Sequence, residues 1–363
     1  MKTPAPSSAW MQVFQGFGKP FLRKSMPLPA RINSREVLVR IDLATICGSD
    51  LHTVEGKRTE PTPCILGHEA VGTVLELGPG RENVRCGDRI SWSIADSCGL
   101  CPACVKYDLP QKCRELFKYG HGALSDGSGW NGCFATHILL RAGTHVVRIP
   151  DGLPNEIAAP ANCALATMVN AVEQIPLTCR SALVQGAGML GLYGCALLKA
   201  RGVETVFCAD ILAARLQIAE AFGAIPLNTR PDAGTNCRNQ VRTCAPEGVD
   251  AVLEVAGVSS LISAGVELLR PGGHYGFIGM VHPDSRLPVT GEQIIRKCLT
   301  IVGTHNYHPR HLDEALLFLE RNQRRYPFAA VVEGPFPLSR LSEAFEAARA
   351  QARPRVSVAP HLE

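Results

Sequence analysis

A glycine-rich turn between an apolar strand and an apolar helix constrains this chain more than any other feature. SALVQ (181–185) runs into GAGMLG and then LYGCALLKARG, which sets Gly186, Gly188 and Gly191 in G-x-G-x-x-G spacing. The first glycine permits a tight turn, the second lets the backbone approach a pyrophosphate, and the third lets helix pack closely on strand. The helix N-terminus then offers unpaired N–H groups to phosphate. The alternation continues through TVFCAD (205–210) with ILAARLQIAEAFGA and VDAVLEVAG (249–257) with SSLISAGVELLRPGG, then GHYGFIGM (273–280) and CLTIVGT (298–304). Such repeated βα units predict a parallel doubly wound sheet over residues 165–303.

Asp210 closes the second of these strands, 19 residues past Gly191. A carboxylate there accepts hydrogen bonds from ribose hydroxyls and repels a 2′-phosphate, which selects NAD over NADP. Arg215, five residues further on, is placed to stack on adenine or, as readily, to sit on a solvated helix face. Without a ligand, the glycines would merely shape a βα turn and Asp210 would cap a helix; the full βαβ context favours the dinucleotide.

Residues 1–164 read differently. EVLVRIDLA (36–44), AVGTVLELG (70–78) and FATHILL (134–140) alternate apolar and polar residues between turns such as GPGREN (78–83). That pattern predicts a β-rich, antiparallel or barrel-like domain. Residues 304–363 carry two helical patterns, HLDEALLFLERN and LSEAFEAARA, and are expected to return to the first domain. With 46% hydrophobic and 19% charged residues, the chain can build real cores and is not extensively disordered. A formal charge of +4 over 363 residues, without a block of like charge, points away from nucleic acid. No leader-like apolar run opens the chain, and no segment approaches the roughly 18 apolar residues of a membrane span, so a cytoplasmic protein is expected.

The fifteen cysteines then separate into groups. Cys98, Cys101, Cys104 and Cys113 form C-x2-C-x2-C-x8-C, which suits a closed tetrahedral zinc site. An iron–sulfur cluster competes on spacing, since thiolates serve both. Cys47 in CGSDLH, His68 in GHEAVG and Cys163 in NCALAT supply a second set, two cysteines and one histidine, which leaves a fourth zinc position open. Asp50 can orient the His68 ring, and Glu69 adjoins the ligand as a supporting carboxylate or transient ligand. Most of the remaining nine cysteines are expected to be small buried hydrophobes.

With these motifs in this order over nearly the whole chain, the sequence resembles the zinc-containing medium-chain alcohol dehydrogenases. The resemblance implies a GroES-like catalytic domain joined to a Rossmann domain, an α/β protein with two zinc ions per chain and NAD as cofactor. It places Met189, Leu190 and Thr167 beside the cofactor with the glycines. It implies that a substrate alcohol binds the catalytic zinc, that its proton leaves through Ser49, the cofactor ribose and His52, and that hydride passes to the nicotinamide. It also implies a homodimer or homotetramer acting on a small alcohol or aldehyde. The chain departs from the family by eight rather than seven residues before Cys113, and Cys163 matches the simple alcohol dehydrogenases where many polyol and threonine relatives carry a carboxylate. Lys57 and Arg58, in the loop between His52 and His68, suit recognition of an anion, or equally form a solvated loop tip. That loop and HNYHP (305–309) resemble a subgroup of zinc-binding dehydrogenases proposed for phosphonate catabolism, which implies a hydroxyalkylphosphonate or similar anionic alcohol. His305, Tyr307, His308 and Arg310 would then line the substrate site or cap the returning helix. A polyol or threonine dehydrogenase, and a catalytically silent zinc- and NAD-binding protein, are the competing readings.

Overall fold

The computed structural model describes residues 9–230, 236–282 and 285–362. Residues 1–8 of the segment read above for a leader lie outside them. The chain divides into two compact units: Met1–Cys163 with His308–Gln323 and Phe328–Glu363, and Ala164–Tyr307 with Arg324–Pro327.

The first unit is built on a seven-stranded sheet. Its strands run in the order Val332–Pro337, Arg355–Ala359, Val37–Ile46, Glu69–Leu77, Arg89–Trp92 and Val146–Arg148, with His137–Leu140 also paired to Val37–Ile46. Pairing is antiparallel except between Val332–Pro337 and Arg355–Ala359, which are parallel. The β-rich reading of the first domain thus meets a strand supplied from the far C-terminus, since Val356 pairs with Ile46 and Val358 with Ala44. Val37–Ile46 is buried along nearly its whole length, and two register shifts against Glu69–Leu77 bend the pair. Trp92, Trp130, Phe134 and Phe345 are among the largest fully buried side chains of this core. FATHILL is shorter as a strand than its pattern suggests, His137–Leu140, because Ala135 makes an isolated bridge to Met11.

The second unit is the parallel doubly wound sheet. Its order is Ile225–Asn228, Thr205–Asp210, Ser181–Gln185, Val249–Glu254, Leu269–Phe277 and Thr300–Gly303, all parallel. The order reverses direction between Ser181–Gln185 and Val249–Glu254, the switch point at which such sheets bind ligands beyond their carboxyl ends. No helix among the described residues is long and apolar enough to cross a membrane.

Of the nine cysteines outside the two clusters, Cys64, Cys133, Cys179, Cys195 and Cys208 are buried as expected. Cys86, Cys244 and Cys298 are exposed and Cys237 is partly so, because helix ends and turns rather than core positions carry them.

His137 gives this core an acid sensitivity. It is fully buried, with Nδ1 2.8 Å from Thr136 Oγ1, and burial pushes its imidazole down to about 4. The unfolded chain takes up this proton near pH 6.5, whereas the folded chain resists until about 4. The contribution is therefore present above pH 6.5 and lost as pH falls across that window. His137→Gln is expected to reduce the acid-induced loss of stability by up to about 3 kcal/mol, the depression at about 1.4 kcal/mol per pH unit. Thermal melts across that pH range check this; parallel curves for both proteins contradict it.

Candidate catalytic zinc centre and dinucleotide site

Cys47 and His68 are 21 residues apart in sequence, yet the fold brings them to one place for a simple reason. Thr45 near the end of one strand pairs with Glu69 at the start of its antiparallel neighbour, so both candidate donors lie beyond the same end of the pair. Cys47 then caps helix Gly48–Val54, and its backbone N–H donates to Asp50 Oδ2 at 2.9 Å, one half of a capping box. Asp50 Oδ1 accepts from Gly67 N at 3.2 Å, so one buried carboxylate ties the two ligand-bearing segments together. The same oxygen stands 3.5 Å from His68 Nδ1, beyond a well-formed hydrogen bond but close enough for electrostatic orientation. The third donor, Cys163, follows the short 3-10 helix Ala159–Asn162. Asn162, fully buried, fixes its position by donating to His68 O at 3.0 Å and Trp92 O at 2.9 Å.

The Cys47, His68, Glu69 and Cys163 donor atoms all lie within 4.8 Å of one another. A hydrogen bond from the Cys163 thiol, helped by the charges of Arg355 and His68, holds Cys47 well below its ordinary value. The same hydrogen bond, with burial, holds Cys163 well above. One proton thus serves two thiols, and a dication is what would let both ionise. The donor set fits zinc with three protein ligands and one open position.

Glu69, within this cluster, is engaged by a partner that sequence reading missed. Arg355 donates from Nε to Glu69 Oε2 at 2.7 Å and from Nη2 to Oε1 at 2.8 Å, and Thr45 Oγ1 donates to Oε2 at 2.7 Å. Burial pushes the Glu69 carboxyl up, while the guanidinium opposes that push. Arg355 Nη2 also lies 3.5 Å from Cys47 Sγ, so the guanidinium spans both a ligand and its neighbouring carboxylate. The signal was an arginine inside the otherwise apolar C-terminal strand RVSVA; nothing local named its partner.

Ser49 and His52 lie one turn apart on helix Gly48–Val54, and Ser49 Oγ is 3.5 Å from His68 Nε2. Lys57 is exposed and paired with Glu55 at 2.8 Å. Arg58 pairs with Glu60 at 2.6 Å, Glu60 also meets His121 Nδ1 at 2.9 Å, and the His121 ring lies 5.2 Å from that of His68. Arg58 therefore connects to the centre through Glu60 and His121, neither of which the sequence singled out. Lys118, whose carbonyl accepts the His121 N–H at 3.3 Å, is a further cation in this group. Burial pushes its ammonium down, with Arg58 adding to the push and the Cys163 and Glu60 charges opposing it. Past Tyr307, His308 and Arg310 are taken up at a helix start: His308 Nδ1 accepts Arg310 N at 3.2 Å, and Arg310 pairs with Glu314 at 2.9 Å.

The four-cysteine loop folds on itself. Its sulfurs stand 3.4 Å (Cys98–Cys113), 3.6 Å (Cys101–Cys104) and 3.9 Å (Cys101–Cys113) apart. Four thiolates about 2.3 Å from one zinc are ~3.8 Å apart at tetrahedral geometry, so the loop is already close to that shape. Cys101 caps helix Pro102–Val105, and backbone N–H groups, led by Arg114, pull its thiol down to about 6. Burial raises Cys104 to about 12. The eight-residue span before Cys113 closes through Asp108 at φ 54° and the 3-10 turn Pro110–Lys112.

In the second unit, Gly186 takes φ 115°, Gly188 caps helix Met189–Ala200, and a Cβ on Gly191 would lie 1.8 Å from Gly186 O. Gly186 is thus required by the turn and Gly191 by close helix packing, whereas a Cβ on Gly188 would meet nothing within 4 Å. Met189 and Leu190 form the first turn of that helix. Asp210 Oδ2 accepts Ala187 N at 2.8 Å and Oδ1 accepts Leu212 N at 2.9 Å, which places the carboxylate against the glycine turn. Arg215 stands 3.8 Å from the same carboxylate. Thr167 is buried in helix Ala164–Glu173, which packs on helix Met189–Ala200.

Two family descriptions match this chain: the alcohol dehydrogenase GroES-like domain over residues 33–151 and the zinc-binding dehydrogenase over residues 190–321. A probable zinc-binding alcohol dehydrogenase of Mycobacterium tuberculosis is 32% identical over 332 residues, covering 90% of this chain and 82% of the relative. The chain belongs to the zinc-binding alcohol dehydrogenase family. An L-threonine 3-dehydrogenase of Pyrococcus horikoshii is 30% identical over 83% of each chain. The crystal structure of an alcohol dehydrogenase from Thermotoga maritima superposes with a TM-score of 0.91 at 29% identity, covering 98% of this chain and 100% of that one. As a zinc-binding dehydrogenase, the protein is an oxidoreductase of the alcohol, polyol or threonine type, with a GroES-like domain and a Rossmann domain.

Two variants separate the metal sites from the packing around them. Cys101→Ser is expected to lower zinc from about two to about one per chain, measured by inductively coupled plasma spectrometry; retention of both contradicts the four-thiolate assignment. Arg355→Ala leaves Glu69 buried without its counter-charge and is expected to cost about 3–5 kcal/mol, whereas Glu69→Gln with Arg355→Met should recover much of it. Chemical denaturation measures both, and a neutral Arg355→Ala would contradict the buried pair.

Proposed function

We propose that this dehydrogenase oxidises a small alcohol bearing an anionic group, with NAD as hydride acceptor and Cys47, His68 and Cys163 as the catalytic zinc ligands. The observation that carries the reading is the convergence of these three donors at one buried point, with Glu69 turned onto Arg355 and leaving a position open. Zinc in that position supplies the Lewis acidity that lowers an alcohol's pKa, and NAD accepts the hydride. Ser49 Oγ, beside His68, would relay the hydroxyl proton by accepting it while releasing its own, and His52, one turn along the same helix, would return that proton to solvent. Asp50 and Asn162 hold the ligand segments, and Arg355 holds Glu69 in place. Asp210 at the end of its strand favours NAD over NADP by repelling a 2′-phosphate. Cys98, Cys101, Cys104 and Cys113 hold a structural zinc.

The anionic substituent rests on charge. Glu60 neutralises Arg58, while the half-buried Lys118 ammonium makes no hydrogen bond or ion pair with another described residue. Lys118 therefore offers an unpaired cation near the centre, suited to a phosphonate, carboxylate or phosphate oxygen. A threonine-type substrate fits the same group in part, since its carboxylate would meet Lys118 and its ammonium Glu60; the threonine dehydrogenase relative gives that reading its support. None of the fifteen cysteines is in a disulfide, which suits the reducing cytoplasm. A homo-oligomer is proposed on the edge strand Thr300–Gly303, which leaves one side of the sheet open to a second copy.

Steady-state assays with NAD against hydroxyalkylphosphonates, hydroxycarboxylates, threonine, polyols and simple alcohols test this. Lys118→Met is expected to raise KM for the preferred anionic alcohol about tenfold, near 1.4 kcal/mol, and to leave KM for a neutral alcohol unchanged. A preference for neutral alcohols, or an unchanged KM for the anion, would remove the anionic substrate and keep the enzyme class.

A further inference from the structure

The second unit holds a buried carboxylate that the reading above does not use. Glu254 ends the strand just across the switch point from the glycine turn, in register with Gln185, and it is fully buried. Two turns follow adjacent strands here, 255–258 after Val249–Glu254 and 278–280 after Leu269–Phe277. Glu254 grips both. Its backbone oxygen accepts Ile278 N at 3.0 Å and Gly279 N at 2.9 Å, while its side-chain Oε1 accepts Gly257 N at 2.6 Å.

The turns touch backbone to backbone. A Cβ on Gly279 would lie 2.5 Å from Gly257 N, and one on Gly257 would lie 2.8 Å from Gly279 O. The first turn also packs on the glycine loop, since a Cβ on Gly186 would stand 3.1 Å from Ala256 Cβ. Oε2 of Glu254 is buried and has no hydrogen-bond partner among the described residues. Burial pushes this carboxyl up, against the pull of N–H groups led by Gly257. Leaving an acceptor in this state is unfavourable unless its placement serves something else.

A dinucleotide spans the switch point, one mononucleotide on each side. Asp210 and the glycine turn lie on the side of Thr205–Asp210, which receives the adenosine and phosphates. The turns gripped by Glu254 lie on the other side. We propose that Glu254 is a positioning residue for the nicotinamide half of the cofactor, its carboxylate holding the 255–258 turn against the 278–280 turn at the spacing that half requires. The proposal rests on the dinucleotide reading of this unit and adds a residue to it. Glu254 acts through backbone N–H groups and does not touch the reacting atoms.

The test compares two ligands that differ in that half. NADH binding is measured by its fluorescence, and ADP binding by calorimetry, on the zinc-loaded enzyme and on Glu254→Gln. Gln keeps the shape and one acceptor but sets an NH2 group among backbone donors. The expected result is a Kd for NADH about tenfold weaker, a Kd for ADP within about twofold, and a KM for NAD that rises more than kcat falls. Equal losses for both ligands, or none for NADH, overturn the proposal. Should Glu254→Gln fail to fold, Glu254→Asp, which keeps the charge and shortens the reach, is expected to show the same split to a smaller degree; its absence overturns the proposal too. A native enzyme that binds neither NADH nor ADP would instead overturn the dinucleotide reading itself.

Discussion

The antiparallel pairing of Thr45 with Glu69 is the constraint on which the catalytic unit depends. It places Cys47 and His68 at a common strand end and sets the Thr45 hydroxyl against the Glu69 carboxylate. The C-terminal strand then adds Arg355 to the same end through the pairing of Val356 with Ile46. A slip of one residue would turn each of these side chains to the opposite face. The centre is thus assembled by sheet register, and Asp50 secures it by bonding to the backbone on both sides.

Charge is arranged around the same centre. Glu69 and Arg355 neutralise each other beside the thiols, Arg58 and Glu60 do so farther out, Asp50 faces His68, and Lys118 has no ion-pair partner among the described residues. A buried pair such as Glu69 with Arg355 contributes little net stability but costs much when broken. The role of these pairs is to fix where a carboxylate is and where an unneutralised cation remains. In the dinucleotide unit, Asp210 and Glu254 play comparable parts on opposite sides of the switch point, each a carboxylate bonded to backbone N–H groups of a glycine-bearing turn.

What the sequence made legible follows from how local each signal is. The glycine turn, the four-cysteine loop and the strand that begins with Val37 each announce themselves within sixteen residues or fewer, because the chemistry needs those residues at that spacing. Cys47, His68 and Cys163 were legible as short motifs with metal-ligand chemistry, although only the sheet shows why they meet. Arg355 was not legible: it lies 286 residues from Glu69, and an arginine in an apolar strand names no partner. Asn162 was hidden by its neighbour Cys163, and Glu60, His121 and Lys118 by having no spacing rule. Arg58 was visible as a cation, but its pairing with Glu60, which decides how much charge it offers, depends on the fold.

Zinc K-edge X-ray absorption on the purified enzyme, with and without a bound alcohol, tests the central claim most directly. One closed site of four thiolates and one open site of two thiolates and an imidazole predict an average shell of about three sulfurs near 2.3 Å with a minority of nitrogen or oxygen near 2.0–2.1 Å. Alcohol should alter the light-atom shell and leave the sulfurs in place. A shell dominated by nitrogen and oxygen, a pure four-sulfur shell, or iron in place of zinc would contradict the account.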